Sequence, residues 1–202
     1  MNIDEMMHSR HSIREYQKKE VDNAIIGQIL ESVKHAPSSG NIQNWRIGII
    51  KDKEKKEKIA KSCLDQLWMS QAPVFLVICY DERNIKVLYP KNHEEFSIQN
   101  TAIMSSYIML KATSLNLGAC WIGIPKKEEI RSILKLPDYI IPSVILTLGY
   151  PTGEYKKTTR NKVREMIFFE EFGKKQIDVS LFPLSKHIHK LKDRIKAQKR
   201  VN

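Results

Sequence analysis

Two short segments hold the residues whose types and spacing can do chemistry. The first is Arg10-His11-Ser12-Ile13-Arg14-Glu15-Tyr16, which places two guanidinium groups and a hydroxyl within five residues. That set suits a phosphate monoester, because Arg offers a planar fork of donors and Ser adds a neutral one. An Arg-x-x-x-Arg by itself is more often a solvated basic turn. The second segment begins 22 residues further on and runs Ala36-Pro37-Ser38-Ser39-Gly40-Asn41-Ile42-Gln43-Asn44-Trp45. Pro37 and Gly40 account for a helix stop and a turn. They do not account for the crowding of Ser38, Ser39, Asn41, Gln43 and Asn44. Amide side chains donate and accept at once, which suits a heterocycle with alternating N–H and C=O groups. A pyrimidine, or the pyrimidine edge of a flavin, has that pattern. Phosphate clamp and amide loop together point to a mononucleotide-like cofactor.

The elements around these segments must place them. A first helix is expected before Arg10. Asp22 caps a helix to about Lys34, with Ile25, Ile26, Ile29, Leu30 and Val33 on its apolar face and Pro37 ending it. Ile47 to Ile50 reads as a strand, and the charge run Lys51 to Lys58 as a solvated turn entering a helix. Ala72-Pro73 stops the chain before Val74 to Ile78, a buried strand. Glu94 to Leu117 is the longest helical stretch, closed by Gly118 at its C′ position. Its middle, Ala102 to Leu110, is apolar on most faces, which predicts a central, buried helix at a subunit contact. Ala119 to Ile122 reads as a strand or turn, Lys126 to Leu134 as a helix, and Ser143 to Leu148 as a strand leading into Gly149-Tyr150-Pro151. Strands and helices intermix without a βαβ repeat or a glycine fingerprint, which predicts an α+β fold.

At 202 residues the chain makes one domain with an appendage: a domain over 1–173 and a basic C-terminal extension over 174–202. Hydrophobic residues are 42% and charged residues 28%, an ordinary globular balance. From Lys174 onward there are nine Lys or Arg against two Asp, so the extension holds seven of the eleven net positive charges. Leu184, Ile188, Leu191 and Ile195 form one stripe there, which predicts a helix packed on protein. Charge confined to an appendage says little about the body, and nucleic acid is not expected as a partner. No apolar stretch approaches a membrane span, and the N-terminus lacks a secretory pattern. Three cysteines without metal or redox spacing fit reduced thiols in a cytoplasm. Walker A, Gly-x-Gly-x-x-Gly, His-Glu-x-x-His and Gly-x-Ser-x-Gly are all missing. His187-x-His189 would point to different faces of a helix, so no metal site is expected.

From about Ile3 to about Glu170 the chain resembles the nitroreductase family of flavoproteins, which bind FMN. The resemblance is carried by four places in order: Arg10 to Tyr16, Ala36 to Trp45, Leu117-Gly118-Ala119-Cys120-Trp121-Ile122-Gly123, and Leu148-Gly149-Tyr150-Pro151 followed by Arg160. It implies a central mixed or antiparallel sheet flanked by helices. It implies FMN as cofactor, NADH or NADPH as electron donor, and a ping-pong reaction that reduces a nitro compound, quinone or similar acceptor. It also implies a homodimer with FMN at the interface. Arg10, His11, Ser12 and Arg14 would come from one subunit, and Pro37, Ser38, Ser39, Asn41 and Gln43 from the other. Arg160 would close on the phosphate with Lys162 nearby, Gln66 would lie near the ring, and the backbone at Ile122 and Gly123 would pass beside it. No side chain is required as catalytic acid or base. The chain departs from the family pattern at Asn100, where Asp is frequent, at Tyr107, where Asn is frequent, and at Asn44, where Pro before Trp is common. Two other readings stay open: a relative with different flavin chemistry, such as dehalogenation or flavin breakdown, and a non-catalytic flavin- or nucleic-acid-binding module.

Overall fold

The structure is a computed structural model, and it describes residues 2–153, 158–168 and 170–173. The chain divides into two compact units, Met1–Lys156 and Lys157–Asn202. The expected helix over the basic extension lies outside the described residues. In the first unit six helices and four strands follow one another: α1 (Ile3–Ser9), α2 (Asn23–Glu31), β1 (Trp45–Ile50), α3 (Lys53–Ser62), β2 (Val74–Asp81), α4 (Glu82–Leu88), α5 (His93–Ser114), β3 (Gly118–Gly123), α6 (Lys127–Leu134) and β4 (Ile140–Gly149). The strands form one sheet in the order β1-β2-β4-β3, antiparallel throughout. This is the α+β class, with helices on both faces of an antiparallel sheet.

Strand alternation explains the two cores. On one face Val74, Leu76, Ile78, Val144, Leu146 and Leu148 pack against Ile26 and Ile29 of α2 and Met104 and Ile108 of α5. On the other, Phe75, Val77, Cys79 and Ile145 pack against Ile59 of α3 and Ile130 of α6. β2 is therefore buried at every position, which is why its sequence is a continuous apolar run.

Several elements depart from the sequence reading. The run Lys51 to Lys58 does enter a helix and is mostly exposed, but the helix starts at Lys53 and one lysine of the run is buried. Asp52 caps α3 by accepting from the Lys55 amide at 2.8 Å, and Lys56 is buried, its Nζ donating to the Ala72 carbonyl at 2.7 Å. A long aliphatic stem lets one lysine of a charged run cross the core edge and find a carbonyl. Gly118 is not the C′ residue of α5. The helix stops at Ser114, Asn116 takes the left-handed conformation at φ 59°, and Gly118 opens β3. Nor is the middle of α5 buried all round: Met104, Ser105 and Ile108 face inward, while Ile103 and Tyr107 are exposed.

Candidate functional site

The basic segment is an extended strip along the outer edge of β3. Ser12 bridges Ala119 in parallel, the Ile13 amide donates to the Ala119 carbonyl at 3.1 Å, and Tyr16 bridges Pro151. Its close approach depends on two glycines. A Cβ on Gly118 would lie 2.5 Å from Ile13 Cγ1, and one on Gly149 would lie 2.8 Å from Tyr16 Cδ1 and 2.5 Å from Pro73 Cδ. The Tyr16 phenol, buried, donates to the Ile13 carbonyl at 2.7 Å and lies 2.7 Å from Thr147 Oγ1. Burial pushes its pKa well above the ordinary phenol value, so it stays a neutral donor.

With Ile13 and Tyr16 turned inward, Ser12 and Arg14 are exposed. Arg10, Ser12 and Arg14 all lie near the buried thiol of Cys120. Burial raises the Cys120 pKa, while Arg14, Ser12 and Arg10 pull it back. Cys120 itself is core, packed in one cluster with Ile13 and Tyr16 of the basic segment. The Arg14 guanidinium lies 5.8 Å from the centre of the Trp68 ring, within cation–π reach. Trp68 follows the left-handed turn Leu64-Asp65, and Gln66 in that turn donates to the Cys63 carbonyl at 3.0 Å. His11 points elsewhere, lining a recess of about 250 Å³ with Ser9, Thr113, Asn116 and Gly118.

The amide loop is built differently. Gly40, Asn41 and Gln43 all have positive φ, at 57°, 53° and 45°. Ser38 closes the loop on itself. Its carbonyl accepts from the Asn41 amide at 2.9 Å and its hydroxyl from the Gln43 amide at 3.0 Å, while Gln43 Nε2 donates to Asn41 Oδ1 at 2.9 Å. Pro37, Asn41 and Gln43 are exposed and Ser38 and Ser39 half-buried. Asn44 and Asn100, two positions of departure from the family pattern, are hydrogen-bonded to each other at 3.0 Å.

The two segments occupy opposite corners of one sheet. The basic segment lies beside Gly118, which pairs with Gly149 on the outer side of β4, at the Val74 end of β2. The amide loop runs into Trp45, which pairs with Tyr80 at the other end of β2, on the opposite edge. Four strand spacings and six residues separate them, roughly 19 Å across and 20 Å along the sheet. α5 gives an independent measure: Asn100 bonds the loop and Thr113 lines the same recess as His11, thirteen residues or about 20 Å of helix apart. Ile122 is buried, so only its backbone is available, whereas Gly123 borders open space. In the second unit, Arg160 Nη1 donates to the Thr158 carbonyl at 3.3 Å and the Thr159 carbonyl at 3.2 Å; Lys162 is exposed.

The family model for the nitroreductase family matches residues 7–68 and 64–150. The chain belongs to the nitroreductase family. Among relatives, an FMN reductase [NAD(P)H] of Bacillus subtilis is 33% identical over 164 residues, covering 74% of this chain and 66% of that protein. An NADH dehydrogenase of Thermus thermophilus is 31% identical, with 72% of this chain and 84% of that one covered. Among solved structures, NfrA2 of B. megaterium superposes at a TM-score of 0.79 with 26% identity, over 97% of this chain and 85% of that one. An FMN-dependent nitroreductase of Clostridium difficile superposes at 0.70 with 28% identity, over 83% and 98%. The antiparallel sheet flanked by helices is thus the nitroreductase fold. Among the described residues no helix is long and apolar enough to cross a membrane.

Three residues at these corners lie outside the two polar segments: Trp68, Ser97 and Asn100, the last as a loop anchor. A signal for the last two exists. Ser97, Asn100, Thr101 and Ser105 recur at helical spacing on one face of α5, and that face is buried. Polar groups repeated on a buried face must find partners.

Proposed function

We propose that the protein is an FMN-dependent NAD(P)H oxidoreductase that works as a homodimer and passes electrons to a small organic acceptor, such as a nitro compound or quinone. The observation that carries this reading is the separation of the two donor-rich corners. A single chain sets its phosphate donors and its heterocycle donors too far apart to grip one mononucleotide. A second copy related by a two-fold axis brings one protomer's basic segment to its partner's amide loop. Exposed apolar side chains suit that contact: Ile98, Ile103 and Tyr107 on α5, and Ile3 and Met7 on α1, which packs on α5.

The residues present fit FMN. Arg10, Ser12 and Arg14 alternate along one extended strip, with Ser12 and Arg14 exposed, and offer the charged and neutral donors that a monophosphate takes. The loop offers amide donors and acceptors on a left-handed backbone, as a flavin's pyrimidine edge requires. Gly123 leaves open space where a flat ring can approach the backbone. Bound FMN supplies the electron-transfer chemistry between nicotinamide and acceptor. The chain's part is to bind and orient it. Arg14 is fixed in place by Trp68 and neutralises phosphate charge. Gln43 and Asn41 hold the heterocycle, and positive charge and N–H donors beside it favour the reduced state. Nicotinamide donor and acceptor would use the same pocket in turn, which would give ping-pong kinetics.

The test is to reconstitute the protein with FMN and with FAD, identify the cofactor retained, and measure NADH and NADPH oxidation against nitro and quinone acceptors. The expected result is retention of FMN, parallel double-reciprocal plots, and a dimer by sedimentation equilibrium. A monomer with full FMN occupancy would overturn the shared site.

A further inference from the structure

We infer that Asn100 and Asn44 are positioning residues for the cofactor loop, forming a buried amide relay that holds Ser38–Gln43 in its left-handed shape. The inference rests on the reading that this loop meets the flavin.

The relay is continuous. The Ser39 amide donates to Asn100 Oδ1 at 2.9 Å, and the Ser39 hydroxyl donates to the same oxygen at 3.2 Å. Asn100 Nδ2 donates to Asn44 Oδ1 at 3.0 Å. Asn44 Nδ2 donates to the Asp81 carbonyl at 3.1 Å and to Ser97 Oγ at 3.0 Å. The Ser97 hydroxyl proton is committed to the His93 carbonyl at 2.6 Å, so toward Asn44 it accepts. Asn100 is 1% exposed, Asn44 4% and Ser97 0%.

Its polarity is forced from both ends. A backbone N–H stands at Ser39 and a backbone C=O at Asp81, and neither can reverse its role. Each asparagine therefore has one permitted orientation. The loop's own bonds tie it to itself, whereas Asn100 and Asn44 tie its two ends to α5 and to the end of β2. A backbone with non-glycine residues at positive φ persists where its surroundings over-determine it, and the relay supplies that determination. Replacing Asn100 by Asp keeps the acceptor for Ser39 but sets an acceptor against Asn44 Oδ1. Turning Asn44 over would only move the clash to the Asp81 carbonyl.

The first test needs no variant: in 15N-labelled holoprotein the Ser39 amide should exchange with solvent at least tenfold more slowly than its intrinsic rate, and exchange at the intrinsic rate would overturn the relay. Asn100→Asp should raise the Kd for FMN about tenfold and speed exchange at Ser39, Asn41 and Ile42 while Val77 in β2 keeps its rate. Unchanged FMN affinity, or a uniform loss of protection, would count against a positioning role. Asn44→Ala and Asn100→Ala should each weaken FMN about tenfold, with the double variant little worse than either, because one broken link opens the chain. A multiplicative hundredfold loss would refute it. Gln43→Ala separates the two levels. If it leaves FMN affinity unchanged, both the site reading and the inference fall; if it weakens FMN while Asn100→Asp does not, only the relay falls.

Discussion

The basic corner and the amide corner hold their backbones in place by opposite means. At the basic corner the backbone is held by what is missing and by apolar packing. Gly118 and Gly149 lack the Cβ atoms that would strike Ile13 and Tyr16, so the strip lies against the sheet and its alternate side chains face out. At the amide corner the backbone is held by directional bonds from buried amides. The difference suits the proposed ligand. A phosphate is a compact charge that accepts donors over a wide solid angle, so flexible Arg side chains on a packed strip suffice. A heterocycle edge needs donors and acceptors in a set order and plane, so the loop must be fixed in orientation as well as place.

The largest effect expected is at Arg14. Arg14→Ala should weaken FMN by about 1.5–3 kcal/mol, while Lys55→Ala, an exposed lysine in the first turn of α3, should leave the Kd unchanged. Fluorescence titration of the apoprotein decides it, and equal constants would remove Arg14 from the site. Next comes the steric basis of the basic corner. Gly118→Val should cost about 1–3 kcal/mol of stability and weaken FMN as the strip is pushed off β3. Gly48→Ala should be close to neutral, because its Cβ would meet Val77 at an ordinary 3.8 Å. Thermal melts of the two variants test this, and equal melting temperatures would break the contrast.

Tyr16→Phe removes the phenol that serves the Ile13 carbonyl and Thr147, at a cost of about 1–2 kcal/mol in urea unfolding. Exchange at the amide loop should be unaffected; if it rises as much as exchange at Ile13, the corners are not independent. A smaller effect marks the amide corner in acid. The Arg83 hydrogen bond, aided by Arg46, holds the Asp81 carboxyl below the usual carboxylate range. A lowered folded-state pKa gives stability that is present above the unfolded pKa and lost as pH falls through the folded one. Below about pH 4 the wild type should therefore lose melting temperature more steeply than Asp81→Asn. Parallel curves would show that the carboxylate contributes nothing. The smallest effect expected is at the thiols. Burial pushes Cys63 up to about 11 and Cys79 up to about 12, and raises Cys120 as well. All three should resist a disulfide reagent at pH 8 until the protein is unfolded.

Much of this was legible from the chain. The two polar segments announced themselves by composition. Asp22 stands where a helix cap belongs, and the apolar run at Val74 reads as a buried strand. These are local facts, set by propensity, capping and period, and they act over a few residues. The tertiary structure decided the rest. It made Gly118 a point of close approach rather than a helix stop, because the requirement comes from Ile13, more than a hundred residues away in sequence. It drew Lys56 out of a solvated run to a carbonyl across the core edge. It joined Ser39, Asn100, Asn44 and Asp81, which no sequence spacing relates, and it set the two ligand corners at opposite ends of the sheet. A side chain's type records what it can bond; only the folded chain determines which distant partner comes within 3 Å of it.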